Sequence, residues 1–183
     1  MIYNLSLQTA GFICGVVLLV YSGFAILKGE LARGAIARLP RHQLAGVVLL
    51  TIDLVWCFWL LATMEMGEFS SFRRPLLIAL PIGYFLILKF VNEFLVVRAL
   101  GIFCLLAAEP LLDAAFFHYQ NSRLLVTVFA YLIVVAGLFW VTTPYVFRDQ
   151  VNWTARTPAR WRLLHGIGLL YGAAILVCAL TRY

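Results

Sequence analysis

Charge is what this chain has least of. Only 12% of its 183 residues are Asp, Glu, Lys or Arg, where an ordinary soluble domain has roughly 25%. At the same time 64% are hydrophobic and the mean hydropathy is +0.97. A water-soluble domain of this length cannot hide that much apolar surface, so the solvent for most of the chain is expected to be lipid.

Cysteine is sparse as well. Cys14, Cys57, Cys104 and Cys178 each fall inside an apolar run and form no CxxC pair. That spacing excludes a disulfide framework, a zinc knuckle and a thiol-redox motif; small buried hydrophobes are the expected role. Catalytic signatures are missing too. There is no H-E-x-x-H, no Glu-x-x-His pair, no G-x-S-x-G elbow and no Gly-rich phosphate loop. Ser22, in YSGF, has no base that the sequence can place beside it. The 14 Lys and Arg residues give a formal net charge of +6. They are scattered through short loops with no basic face of interleaved aromatics, so no nucleic-acid partner is expected.

What remains is a set of long apolar runs. Six reach the roughly 20 residues that a membrane span needs, at about 5–27, 44–64, 75–91, 98–117, 123–143 and 163–181. The expected fold class is all-α: a polytopic integral membrane protein, with residues 1–183 forming one membrane-embedded bundle of six transmembrane helices. The first run has no basic segment before it and no A-x-A-type site after it, which favours an uncleaved helix over a signal peptide. After it comes KGELARGAIARLPRHQ, where Leu31, Ala35 and Leu39 recur at helical spacing. A short cytoplasmic interfacial helix ending at Pro40 is predicted there, with Arg33, Arg38 and Arg41 facing lipid headgroups; a plain basic loop is the alternative. VNEFLVVRAL is read as a tight turn around Asn92, Glu93 and Arg98. YVFRDQVNWTARTPARWR is read as a headgroup-level loop.

Charge counting orients the map. With the N-terminus outside, Lys28, Arg33, Arg38, Arg41, Lys89, Arg98, Arg148, Arg156, Arg160 and Arg162 are cytoplasmic, and Arg73, Arg74, Arg123 and Arg182 are not. Ten against four satisfies the positive-inside rule. Both termini then lie on the non-cytoplasmic side.

Carboxylates inside these runs are the candidates for chemistry, because an acid in hydrocarbon is costly and seldom idle. At 1.5 Å per residue Asp53 sits roughly 13 Å deep and Glu109 roughly 16 Å, in a core about 30 Å thick. Asp113 follows Glu109 at i+4 and is expected nearer the outer interface, where it can be solvated. Pro110 removes a backbone donor beside Glu109, and Pro81 does so in the third span. Tyr84, Tyr131 and Tyr171 fall at comparable depths. Together these residues would form one polar pocket for a proton, an ion or a small polar ligand. Glu109 is expected to face the interior in its protonated form, bonded to Asp53 or Tyr131. The competing reading gives these groups only a packing role.

His42 and His165 lie at the cytoplasmic ends of their spans and could approach as axial haem ligands. Interfacial histidines are the commoner case, and no cofactor or metal is expected. His118 lies in an outer loop and shows nothing. Gly11 with Gly15 and Gly168 with Gly172 have the small-xxx-small spacing that lets helices approach closely. Tyr3, Trp56, Trp59, Trp140, Trp153 and Trp161 are expected as belt anchors.

Three functions fit. The first is a subunit or scaffold of a membrane complex, with other membrane subunits or further copies of itself as partners. The second is a proton- or ion-coupled small transporter or channel using the midplane carboxylates. The third is a membrane enzyme or haem protein. The sequence favours the first narrowly, because it shows no internal repeat and no continuous run of charges across the spans.

Overall fold

A computed structural model describes Tyr3 and residues 5–91, 93–116 and 120–183, and the side chain of Arg41 is outside that description. Asn92 and His118 also lie outside the described residues. Among the described residues the chain is all-helical. Six helices are long and apolar enough to cross a membrane: α1 (Leu7–Leu27), α3 (Gln43–Thr63), α4 (Arg73–Phe90), α5 (Leu95–Phe116), α6 (Arg123–Thr142) and α8 (Pro158–Thr181). Two short ones, α2 (Gly29–Arg38) and α7 (Tyr145–Ala155), touch each other at one end of the bundle.

Local chemistry sets the boundaries. Ser6 caps α1 by accepting from the Thr9 N–H at 3.2 Å, and His42 Nδ1 accepts from the Ala45 N–H at 3.4 Å to cap α3. Pro158 opens α8 at a position where its missing N–H costs nothing. Inside the apolar helices Thr51, Thr63, Thr127 and Thr142 donate to the carbonyl four residues back, so their hydroxyls need no water. Pro81 and Pro110 stand within α4 and α5, and each removes a helical donor, leaving the Leu77 and Leu106 carbonyls without their usual partner.

Glycine determines how closely the helices pack. α1 lies along α8, and a Cβ on Gly15 would come within 3.1 Å of the Gly172 carbonyl. Gly11 meets Ala179 and Tyr183, and Gly168 meets Ser22, so all four glycines line this contact. α5 lies along α6, where a Cβ on either Gly101 or Gly137 would sit 2.8 Å from the carbonyl of the other. α3 packs on α5, and α4 packs mainly on α3 without burying one residue of its own. The main core is Leu7, Ala10 and Cys14 of α1 against Leu111, Ala114 and Ala115 of α5, with Val126, Ala130 and Ile175.

The structure differs from the sequence map in several places, among them α8, which begins at Pro158 rather than near 163. Residues 145–155, expected as a loop, are helical because Phe147 and Thr154 recur at i, i+7 and pack inward. The fourth apolar helix begins at Leu95 rather than near 98. The turn before it is tight, and Phe94 takes a positive φ of 56°, a region that non-glycine residues seldom enter.

Candidate functional site

Asp53 stands at the middle residue of α3, roughly 15 Å from Gln43 at the helical rise. It is 2% exposed, and neither carboxylate oxygen has a hydrogen-bond partner among the described residues. That is unusual, since buried polar groups are nearly always paired. The residue borders a cavity of about 270 Å³ between α3, α4 and α5, although its two oxygens present almost no surface to it.

The walls are almost wholly apolar: Leu50 and Leu54 from α3, Leu80, Gly83 and Tyr84 from α4, and Ile102 from α5. A Cβ on Gly83 would meet nothing within 4 Å, so this glycine adds to the space. At one end Thr51 donates to the Val47 carbonyl at 2.7 Å, which leaves Tyr84 to donate to Thr51 Oγ1 at 2.9 Å. Cys57 of α3 lines the same cavity. A lone ionised carboxylate in such a medium is very costly. The group has to be neutralised by a proton, a cation or the donor of a guest.

The other acids lie elsewhere, which corrects the expectation of a single midplane pocket. Glu109 is exposed, and with Asp113 it lines an open groove on the outward face of α5, beside Leu105, Leu112 and Val134. It bonds to neither Asp53 nor Tyr131. Because α5 starts at Leu95, Glu109 lies roughly 21 Å along it at the helical rise, past its middle. Tyr131 is 58% exposed. Tyr171 donates to the Leu125 carbonyl at 2.7 Å and so ties α8 to α6. Only Tyr84 shares the chamber with Asp53.

Tyr3 reaches across the end of the bundle, where it accepts a hydrogen bond from Trp56 Nε1. Burial holds its phenol above the usual 10.0, and the charge of Glu109 adds to the effect. Trp56 also meets Phe103 edge-on at 5.7 Å. These contacts tie Tyr3 and α5 to α3 three residues beyond Asp53.

The two histidines each have a hydrogen-bonding role through Nδ1. His42 caps α3 through Nδ1. His165 is 4% exposed on α8 and donates from Nδ1 to the Trp161 carbonyl at 2.8 Å. No group of three or more metal-ligating side chains occurs among the described residues. Arg33 lies over the Trp161 ring at 5.5 Å, and Arg38 is exposed. Trp161, expected as a belt anchor, is instead 2% exposed and donates to the Ala25 carbonyl at 2.8 Å.

Sequence reading missed a second polar cluster. Ser22, Thr154 and His165 are buried and line one cavity. Ser22 and His165 are 143 residues apart, so no local spacing could have joined them. Among the described residues the helices and cavity define a class, an all-helical bundle with six apolar helices and a buried acid where three of them meet. No family model matches the chain, and neither a curated protein nor a solved structure matches it.

Proposed function

We propose that the chain is an integral membrane protein that takes up a proton or a small cation at Asp53, working as a proton- or ion-coupled transporter or channel. One observation carries this reading: a carboxyl 2% exposed, with both oxygens unpaired among the described residues, beside a cavity of about 270 Å³ that the residue lines. A packing acid would have a donor. An acid that binds and releases must lack a permanent one, and intramembrane acids commonly serve proton or ion pathways.

The chamber walls support the idea. Along α4 they extend from Leu76 to Ile87, roughly 16 Å at the helical rise, or about half the thickness of a bilayer core. α4 is also the wall held least firmly, with no buried residue and with Pro81 in its middle. Ten cations at the α2–α7 end against four at the other support a cytoplasmic side for that end, with both termini outside.

A subunit or scaffold role is the second reading, and Glu109 favours it. An acid on an outward face, with Asp113 one turn away, is poorly matched to lipid. A neighbouring subunit supplying donors there would resolve the mismatch.

Flux separates the two. The protein is reconstituted in liposomes holding a pH-sensitive dye, and gradients of protons, Na+ and K+ are imposed in turn. The transport reading predicts flux under at least one gradient and its loss in Asp53→Asn, with unchanged helix content by circular dichroism. Wild-type liposomes as tight as empty ones, or full flux in Asp53→Asn, would reject it in favour of the subunit role.

A further inference from the structure

Four polar or charged side chains are buried among the described residues: Ser22, Asp53, Thr154 and His165. Asp53 belongs to the chamber already described. The other three come from α1, α7 and α8 and line a single cavity of about 330 Å³ near the α2–α7 end of the bundle. Three helices each bring a buried polar group to one space whose remaining walls are mostly apolar or aromatic. A packing accident would not concentrate them there.

Their hydrogen bonds show what is vacant. Thr154 donates to the Gln150 carbonyl at 2.7 Å and is satisfied. His165 Nδ1 donates to the Trp161 carbonyl, which leaves Nε2 of the neutral ring as an acceptor. Among the described residues no protein donor reaches that nitrogen, and Ser22 makes no side-chain bond. Ser22 lies so near α8 that a Cβ on Gly168 would meet its Oγ at 2.7 Å. Among the buried side chains the vacant pair is therefore one acceptor, His165 Nε2, and one hydroxyl that can donate or accept, while the exposed Tyr21 and Gln150 also line the cavity.

The walls are flat. Trp140, Phe147 and Trp161 line the cavity, Trp161 lies 4.2 Å from the His165 ring, and Tyr21 lies 5.6 Å from it. Tyr21 and Leu164 line the same space and are 52% and 49% exposed, so the mouth opens sideways at the bundle surface. In a bilayer that mouth faces lipid.

We infer that this cavity binds a phenolic ring carried by a membrane-soluble amphiphile. The hydroxyl donates to His165 Nε2 and accepts from Ser22, and the ring lies between the aromatic walls. Each part matches a vacancy: a donor for the lone acceptor, an acceptor for the free hydroxyl, and a planar apolar body for flat walls. A cavity of this size is typical of small-ligand sites, which pair an apolar lining with a few placed polar groups. The inference does not rest on Asp53 and stands whether or not the protein transports anything.

The test uses two probes of nearly equal shape, 4-bromophenol and 4-bromoanisole, on the detergent-solubilised protein. Bromine quenches tryptophan fluorescence on contact, and Trp140 and Trp161 form part of the wall. Expected is saturable quenching by the phenol at an affinity about tenfold above that of the anisole, the worth of one buried hydrogen bond. His165→Leu should abolish the preference and Ser22→Ala should reduce it. Ser22→Ala removes one atom from a helix contact, so it tests the idea even if the histidine variant does not fold. Equal affinity for the two probes, or a preference unchanged in Ser22→Ala, would overturn the inference and leave the cavity to water. Both outcomes are independent of ion flux, and Asp53→Asn should leave the phenol preference intact.

Discussion

Replacing Asp53 with leucine should make the protein more stable, an unusual direction for a change at the centre of a helix bundle. The carboxyl is 2% exposed and both oxygens lack a donor among the described residues, so the folded state carries its desolvation without recompense. Removing such a group recovers about 1–3 kcal/mol. Leucine is also larger than aspartate, and the chamber of about 270 Å³ beside Leu54, Leu80 and Ile102 has room for it. The Asp53→Asn variant, keeping the shape and an unpaired polar group, should have a stability close to that of the wild type. Unfolding in detergent, followed by far-UV circular dichroism across a denaturant series, gives the comparison. A loss of more than about 1 kcal/mol in Asp53→Leu, beside a stable Asp53→Asn, would show that a hydrogen bond holds the side chain. The functional reading would then lose its footing, because sites kept for function are often the ones that cost stability.

Other consequences follow from particular contacts. Gly137→Ala places a methyl 2.8 Å from the Gly101 carbonyl and should cost about 1–3 kcal/mol by overpacking; Gly23→Ala in α1 meets nothing within 4 Å and should gain about 0.5–1 kcal/mol. The same unfolding series reads both, and equal effects would contradict the packing described. Trp161→Phe keeps an aromatic ring but loses the donor to the Ala25 carbonyl, so a drop of about 1–3 kcal/mol is expected from the stranded acceptor. Tyr3 and Tyr183 are both held above the usual 10.0 by burial. A folded state that keeps its protons longer than the unfolded chain is fully favoured below that value and loses the advantage as pH climbs through the raised pKa. Stability should therefore fall above about pH 10, less steeply in a Tyr3→Phe, Tyr183→Phe double variant.

The helices were readable because each is a run of apolar residues as long as a bilayer is thick, and the glycine spacings in α1 and α8 were readable for a similar reason. The rotation of each helix was not. α5 carries apolar residues all round, so i, i+4 spacing put Glu109 and Asp113 on one face without saying whether it turned inward. Asp53 presented the same ambiguity and turned in, toward a wall that α4 and α5 complete. α7 was missed because its inward set, Phe147 and Thr154, is too short and too polar to stand out from a basic loop. The cavity of Ser22, Thr154 and His165 depends on three helices distant in sequence and became visible only once α1 was laid against α8.

Infrared difference spectroscopy on the protein in lipid tests most directly whether Asp53 is the working acid. Spectra are recorded as the bathing pH or the Na+ or K+ concentration is stepped, for the wild type and for Asp53→Asn. The account predicts a carboxyl carbonyl band that responds to the step in the wild type and is absent from the variant. A wild-type spectrum with no responsive carboxyl, or a responsive band that survives in Asp53→Asn, would contradict it.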